Sequence, residues 1–219
     1  MKDSKPGYTG RAEQMIQARL SALARLISEW PGLMAQPERA LIDDSLVLLE
    51  HLGSARKVVD VGSGAGLPGL PLKIARPGLE LVLIEADQRK AAFLVHACAT
   101  LGLTDVEVLA ERAEEVGRDP VYREAFDVVV ARALAPMPVL AELCLPLVRV
   151  GGRLLAQKTK SEDLDAAGRA IELMGGTIHA VVATPSAARG AGTVVIVDKV
   201  RSTPPGFPRR PGIPARKPL

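Results

Sequence analysis

Hydrophobic positions first recur at helical spacing, with Met15, Ile16, Leu20, Leu23, Leu26 and Ile27 lying between Arg11 and Trp30. Pro31-Gly32 stops that pattern. A second helix is predicted from about Pro37 to Leu52, with Leu41, Ile42, Leu46, Leu48 and Leu49 on its apolar side and Gly53 at its end. From Lys57 the period changes. Short β-branched runs alternate with helical patterns: strands over 57–61, 79–85, 106–109, 126–132 and 153–156, and helices near 68–75, 88–101, 112–116, 139–147 and 162–174. Such alternation predicts an α/β fold with a parallel sheet. The last two strands, about 177–183 and 193–198, have no room between them for a crossover helix, so they should form an antiparallel hairpin. The count is seven strands with a terminal hairpin.

The pivotal stretch is KVVDVGSGAGLPGLPL, Lys57 to Leu72. A buried strand runs into four glycines (Gly62, Gly64, Gly66, Gly69) and then a helix start, an arrangement that offers backbone N–H groups to an anionic ligand group at a strand end. Two registers fit. Gly64, Gly66 and Gly69 satisfy the dinucleotide fingerprint, which would make the chain an NAD-dependent oxidoreductase, but that register starts late and places Pro68 inside the loop. Asp60 followed by Gly62, Gly64 and Gly66 begins where the strand ends, and resembles the signature of seven-stranded S-adenosylmethionine-dependent methyltransferases. The second register is preferred, because a methionine moiety needs N–H donors beside an acid. Glu85, at the end of the second strand, is placed to accept both ribose hydroxyls, with Ala86 and Asp87 beside the nucleoside and Ala113-Glu114 flanking adenine.

The target atom is narrowed by elimination. The segment after the fourth strand, Ala131 to Pro136, lacks the Asn/Asp-Pro-Pro-aromatic motif used on exocyclic amines, and Cys98 and Cys144 lie within helices rather than at strand ends. A purine ring nitrogen needs no general base. Arg132 and Lys158, after the fourth and fifth strands, are candidate catalytic cations for guanine O6.

Hydrophobic residues make up 47% of the 219, enough for one sizeable core. No apolar run is long enough to span a membrane, the first residues lack a signal-like core, and neither the two cysteines nor the three histidines show metal-ligand spacing. A cytoplasmic protein without metal is expected. The net charge of +3 hides an asymmetry. Lys199, Arg201, Arg209, Arg210, Arg216 and Lys217 give the last 21 residues +6 with no acid, leaving −3 on the body. That distribution suggests a polyanionic partner.

Taken together, the chain resembles the bacterial 16S ribosomal RNA guanine-N7 methyltransferases, the glucose-inhibited division protein B family. The resemblance is carried by DVGSGAGLPGLPL (60–72), Arg76-Pro77, Glu85, Arg112-Ala113-Glu114, Ala131-Arg132-Ala133, Lys158 and the tail PPGFPRRPGIPARKPL. It implies a Rossmann-like, seven-stranded class I fold with an N-terminal helical cap: cap 1–55, S-adenosylmethionine-binding domain 56–200, and a basic proline-rich tail 201–219. It also implies a cofactor site lined by Gly62, Leu67, Glu85 to Asp87, Ala113, Glu114 and Arg132. Asp44-Ser45 would face the substrate, and Lys73 and the tail would hold phosphates of 16S rRNA or the small ribosomal subunit. The chain departs from the family pattern at Ile27-Ser28-Glu29, Leu41 and Thr159. A non-catalytic RNA-binding module is the third reading.

Overall fold

The computed structural model describes residues 10–33, 39–158 and 164–219. The expected terminus before Gly10, the helix start at Pro37, Thr159 and the helix start at 162 lie outside the described residues. Seven strands form one sheet in the order β3-β2-β1-β4-β5-β7-β6. They are β1 (Lys57–Val61), β2 (Glu80–Ile84), β3 (Val106–Leu109), β4 (Phe126–Arg132), β5 (Val148–Lys158), β6 (Gly176–Ala183) and β7 (Thr193–Lys199). β1 to β5 pair in parallel, whereas β7 runs antiparallel to both β5 and β6. The chain order reverses between β1 and β4, and their carboxyl ends open the crevice where ligands of such sheets bind.

The β-branched runs alternate faces with a period of two. Val58, Val128, Val130, Leu155, Val194 and Ile196 belong to one hydrophobic cluster, and Val59, Val129, Leu154, Val195 and Val197 to the other. Both faces are covered, as a parallel sheet requires. On the first face lie α1 (Gly10–Glu29), α2 (Arg39–Ser45), a 3₁₀ segment (Leu46–His51), α3 (Gly69–Ala75) and α4 (Gln88–Leu101). On the second lie α6 (Met137–Cys144) and α7 (Leu164–Leu173), with the single turn α5 (Ala113–Val116) at their side. Leu20, Leu23, Ile27, Ile42 and Leu48 share one core with the sheet, so the N-terminal helices cover a sheet face as well as flanking the site.

Several boundaries differ from those read in the sequence. The second helix breaks into α2 and a 3₁₀ segment after Ser45. β5 begins five residues before the expected 153 because Gly151-Gly152 forms a bulge inside the strand: Phe126 pairs with Val148 and Val128 with Arg153. α6 ends earlier than expected, at Cys144: Leu145 still has helical angles, but Pro146 has no N–H to carry the hydrogen-bond ladder further. The tail is folded. It carries a short helix, α8 (Ile213–Arg216), and lies along the body near α5 and α6.

Candidate active site

The glycine loop is shaped chiefly by its own hydrogen bonds. Gly62 and Ser63 N–H both donate to Ile84 O at 2.9 and 3.0 Å, while Gly66 and Leu67 N–H donate to Ser63 O at 2.8 and 3.1 Å. The expected row of amides open to a ligand is therefore mostly internal, because a tight turn satisfies its own donors. Ala65, whose amide lies outside this set, lines the cavity. Gly64 turns with φ +56°, and its N–H meets Glu85 Oε2 at 2.8 Å. Gly69 is needed for close approach, since a Cβ there would come within 2.8 Å of Asp60 Oδ2.

Around this loop is a cavity of about 390 Å³ lined by Gly62 to Ala65, Leu67, Ile84 to Ala86, Lys90, Glu111 to Glu114 and Arg132 to Leu134, with Leu33 and Leu143. Of the residues expected to hold a nucleoside, Gly62, Gly64, Leu67, Glu85, Ala86, Ala113, Glu114 and Arg132 line it. Glu85 is 9% exposed, and its two oxygens take Gly64 N–H and Asp87 N–H at 2.8 and 2.9 Å. A carboxylate oxygen has two lone pairs, so each retains one for a hydroxyl. Arg132, at the end of β4, donates to Leu41 O at 3.0 Å and stands 3.9 Å from Asp44. Burial lowers its pKa, with Asp44 and Asp60 opposing that effect. Ala133 follows at φ +51°, an uncommon conformation for a residue with a Cβ, as the chain turns along the rim.

Other expected residues sit elsewhere. Gly66 is buried, and a Cβ there would strike Leu70. Asp87 is an exposed helix cap rather than a cavity residue: its carboxylate accepts from Arg89 and Lys90 N–H, which hold it below the usual carboxylate range. Asp60 is fully buried behind the loop. One of its oxygens accepts from Gly69 N–H at 2.9 Å and the other has no partner. Burial pushes its carboxyl up to about 7, against the Gly69 hydrogen bond and the Arg132 charge. The folded protein then keeps a proton that the unfolded chain loses near pH 4, so this group lowers stability as pH rises from about 4 to 7. Asp60→Asn, neutral at every pH, is expected to remove that slope. In urea unfolding at pH 4 to 8, its stability relative to the parent should rise toward pH 8 by no more than about 4 kcal/mol. A constant difference across the range would rule out the buried acid.

The substrate-side expectations need larger corrections. Lys73 is 2% exposed, and its ammonium caps Pro77 O and Leu79 O, so it cannot reach a phosphate. Asp44 and Ser45 are buried too. Ser45 Oγ donates back to Leu41 O at 2.9 Å, as a hydroxyl late in a helix often does. Asp44 is the acid of an internal cluster. Arg189 Nε donates to it at 2.8 Å, and Gln157 donates to its main-chain carbonyl at 2.9 Å. Lys158 is 6% exposed and donates to Ala135 O, just outside the cavity lining. Of the C-terminal cations, Lys199 at the end of β7 and Arg209 in the tail bind Glu124 and Glu142, whereas Arg210, Arg216 and Lys217 are exposed.

Arg189 escaped the sequence reading. It lies in the link between β6 and β7, and its guanidinium also reaches Lys158 O, Thr193 O and Thr184. Its only sequence signal was a lone cation in a proline- and glycine-rich hairpin.

A seven-stranded sheet with an antiparallel β7, and a cavity at the ends of β1, β2 and β4 beside a glycine loop, define a class I methyltransferase. Solved structures share the fold: mitomycin 7-O-methyltransferase MmcR (TM-score 0.62, 16% identity, covering 87% of this chain and 68% of that one) and a T. Thermophilus 16S rRNA N2 G1207 methyltransferase, RsmC, in complex with AdoMet and guanosine (0.52, 20%, 76% and 42%). A family model described as rRNA small subunit methyltransferase G matches residues 36–189. Ribosomal RNA small subunit methyltransferase G of Moorella thermoacetica is 49% identical over 187 residues, 80% of this chain and 75% of its own, and that of a Geobacillus species 38% over 236 residues, 99% of each. The chain belongs to the rRNA small subunit methyltransferase G family.

Proposed function

We propose that this enzyme methylates N7 of a guanine in 16S ribosomal RNA, with S-adenosylmethionine as donor. The carrying observation is Glu85, fixed by two main-chain N–H groups beside the glycine loop with a lone pair left on each oxygen. Two adjacent acceptors of this kind suit the ribose diol. The remaining lining fits the same group: Ile84, Ala86 and Leu134 are apolar walls for the base and sulfonium, and Gly64 has open space where a side chain would stand. When bound, the cofactor supplies an electrophilic methyl group.

The protein's part is to position and desolvate the acceptor. Among the described residues two of the three cavity carboxylates, Glu85 and Glu114, are held by main-chain donors, the third, Glu111, is exposed on the wall that precedes α5, and Asp44 is buried in its own cluster. That arrangement suits a nucleophile that loses no proton before attack. Guanine N7 presents a ready in-plane lone pair. Arg132, at the junction of cavity and α2, is placed to contact either the cofactor's amino-acid end or guanine O6, and a single contact to O6 leaves N7 free. Lys158 supports the same rim through Ala135 O. RNA phosphates would meet Arg112, Arg210, Arg216 and Lys217, all exposed. A ribosomal RNA substrate places the reaction in the cytoplasm.

Incubation with labelled S-adenosylmethionine and small-subunit RNA is expected to label one guanine. The labelled site should be open to the strand scission specific for N7-methylguanosine, and RNA binding should fall steeply with added salt. Transfer to an exocyclic amine, or no transfer to RNA or to assembled subunits, would refute the reading.

A further inference from the structure

One wall of the cofactor cavity is made by Glu111, Arg112, Ala113 and Glu114. It is built on α5, a helix of four residues. A single turn has no stability of its own in water, so something else must hold this wall in place. The C-terminal segment does. Arg118 Nε donates to Pro208 O at 2.6 Å, and Arg123 reaches Thr203 O and Phe207 O at 2.8 and 2.7 Å. The Pro208 ring lies so close that a Cβ on Gly117 would be 3.1 Å from it.

Two further contacts turn this cover into a specific linkage. Glu142 of α6 is completely buried and accepts from three donor groups of Arg209: its main-chain N–H at 2.8 Å, Nε at 2.8 and 3.1 Å to the two oxygens, and Nη2 at 2.5 Å. Three residues on, Gly212 turns with φ +78° and donates its N–H to Glu114 Oε1 at 2.8 Å, the same oxygen that takes Arg112 Nη2 at 3.2 Å. Glu114 is 2% exposed. Burial alone would raise its pKa, yet the Gly212 N–H and Arg112 hold it below the ordinary value.

We propose that the segment 203–217 is a positioning element of the cofactor site, with the Arg209–Glu142 pair as its anchor and the Gly212 N–H fixing Glu114 in the cavity wall. The inference rests on the reading of the cavity as the S-adenosylmethionine site. A tail serving only to attract RNA would have no need of a buried acid or of a main-chain donor aimed at a cavity residue.

The test is equilibrium titration of S-adenosylmethionine against the full chain and two variants. A chain ended after Arg210 keeps the anchor and removes Gly212. Arg209→Leu combined with Glu142→Leu replaces the buried pair by apolar side chains, a change that buried pairs often tolerate. Each is expected to raise the Kd for S-adenosylmethionine by about tenfold, the scale of one lost charge-assisted hydrogen bond. In the double variant, which keeps every exposed cation of the tail, KM for RNA at saturating cofactor should stay near that of the full chain; the shortened chain also loses Arg216 and Lys217, so it is read by cofactor affinity alone. Parent-like cofactor affinity in the folded shortened chain would overturn the proposal, as would equal losses of cofactor and RNA affinity in the double variant, the mark of general destabilisation. If the shortened chain does not fold, the double variant decides by the same criterion. Failure of the full chain itself to bind S-adenosylmethionine would instead refute the reading of the cavity.

Discussion

Glu85→Ala is expected to weaken S-adenosylmethionine binding by at least about 100-fold, with the loss visible in a direct titration before any RNA is added. Two ribose hydroxyls lose a charged acceptor, and hydrogen bonds to charged groups contribute about 1.5–3 kcal/mol each. The side chain also ties Gly64 N–H to Asp87 N–H, so its removal releases the loop from the start of α4. Glu85→Gln should fall between parent and alanine variant, because one oxygen acceptor survives and the amide nitrogen faces a donor. Unchanged affinity in the alanine variant would show that the ribose lies elsewhere.

The second large effect concerns stability. Asp44→Ala is expected to lower unfolding free energy by about 3–5 kcal/mol, since it leaves buried guanidinium groups without their counter-charge. Arg189 has 8% of its side chain exposed and Arg132 11%. For a chain of this size each kcal/mol corresponds to about 2–4 °C in Tm. The adjacent Asp43 is a built-in control. It pairs with Arg39 on the surface, with over half its side chain exposed, so Asp43→Ala should shift Tm little. Equal shifts for the two neighbours would contradict the assignment. Adding Arg189→Met to Asp44→Ala should recover part of the loss, because it removes the stranded cation.

The sheet was legible because its strands are β-branched runs bounded by glycine and proline, and because the short link from β6 to β7 allows only a hairpin. Glu85 was legible for a similar reason: a strand end and a glycine loop fix where its carboxylate stands. Asp44 and Lys73 were misread for a common reason. A charged side chain in a sequence looks exposed by default, and nothing local reveals that Lys73 binds the Pro77 and Leu79 carbonyls in the turn after its own helix. Asp44 finds its partner on a distant hairpin, a pairing no periodicity encodes. The cations of the last 21 residues also read as one basic patch, although Lys199 and Arg209 are matched to acids far away in the chain. Spacing locates elements better than it locates the partners of charges.

Arg189 lies 145 positions after Asp44. During synthesis from the N-terminus, the acid leaves the ribosome long before its main counter-charge has been translated. A nascent chain halted anywhere before that arginine has only Arg132, 3.9 Å away in the finished fold, to balance the carboxylate. Such a chain also lacks β7, which pairs with both β5 and β6, so the closing of the sheet and the neutralising of Asp44 at its joint with α2 both await the same last part of the chain.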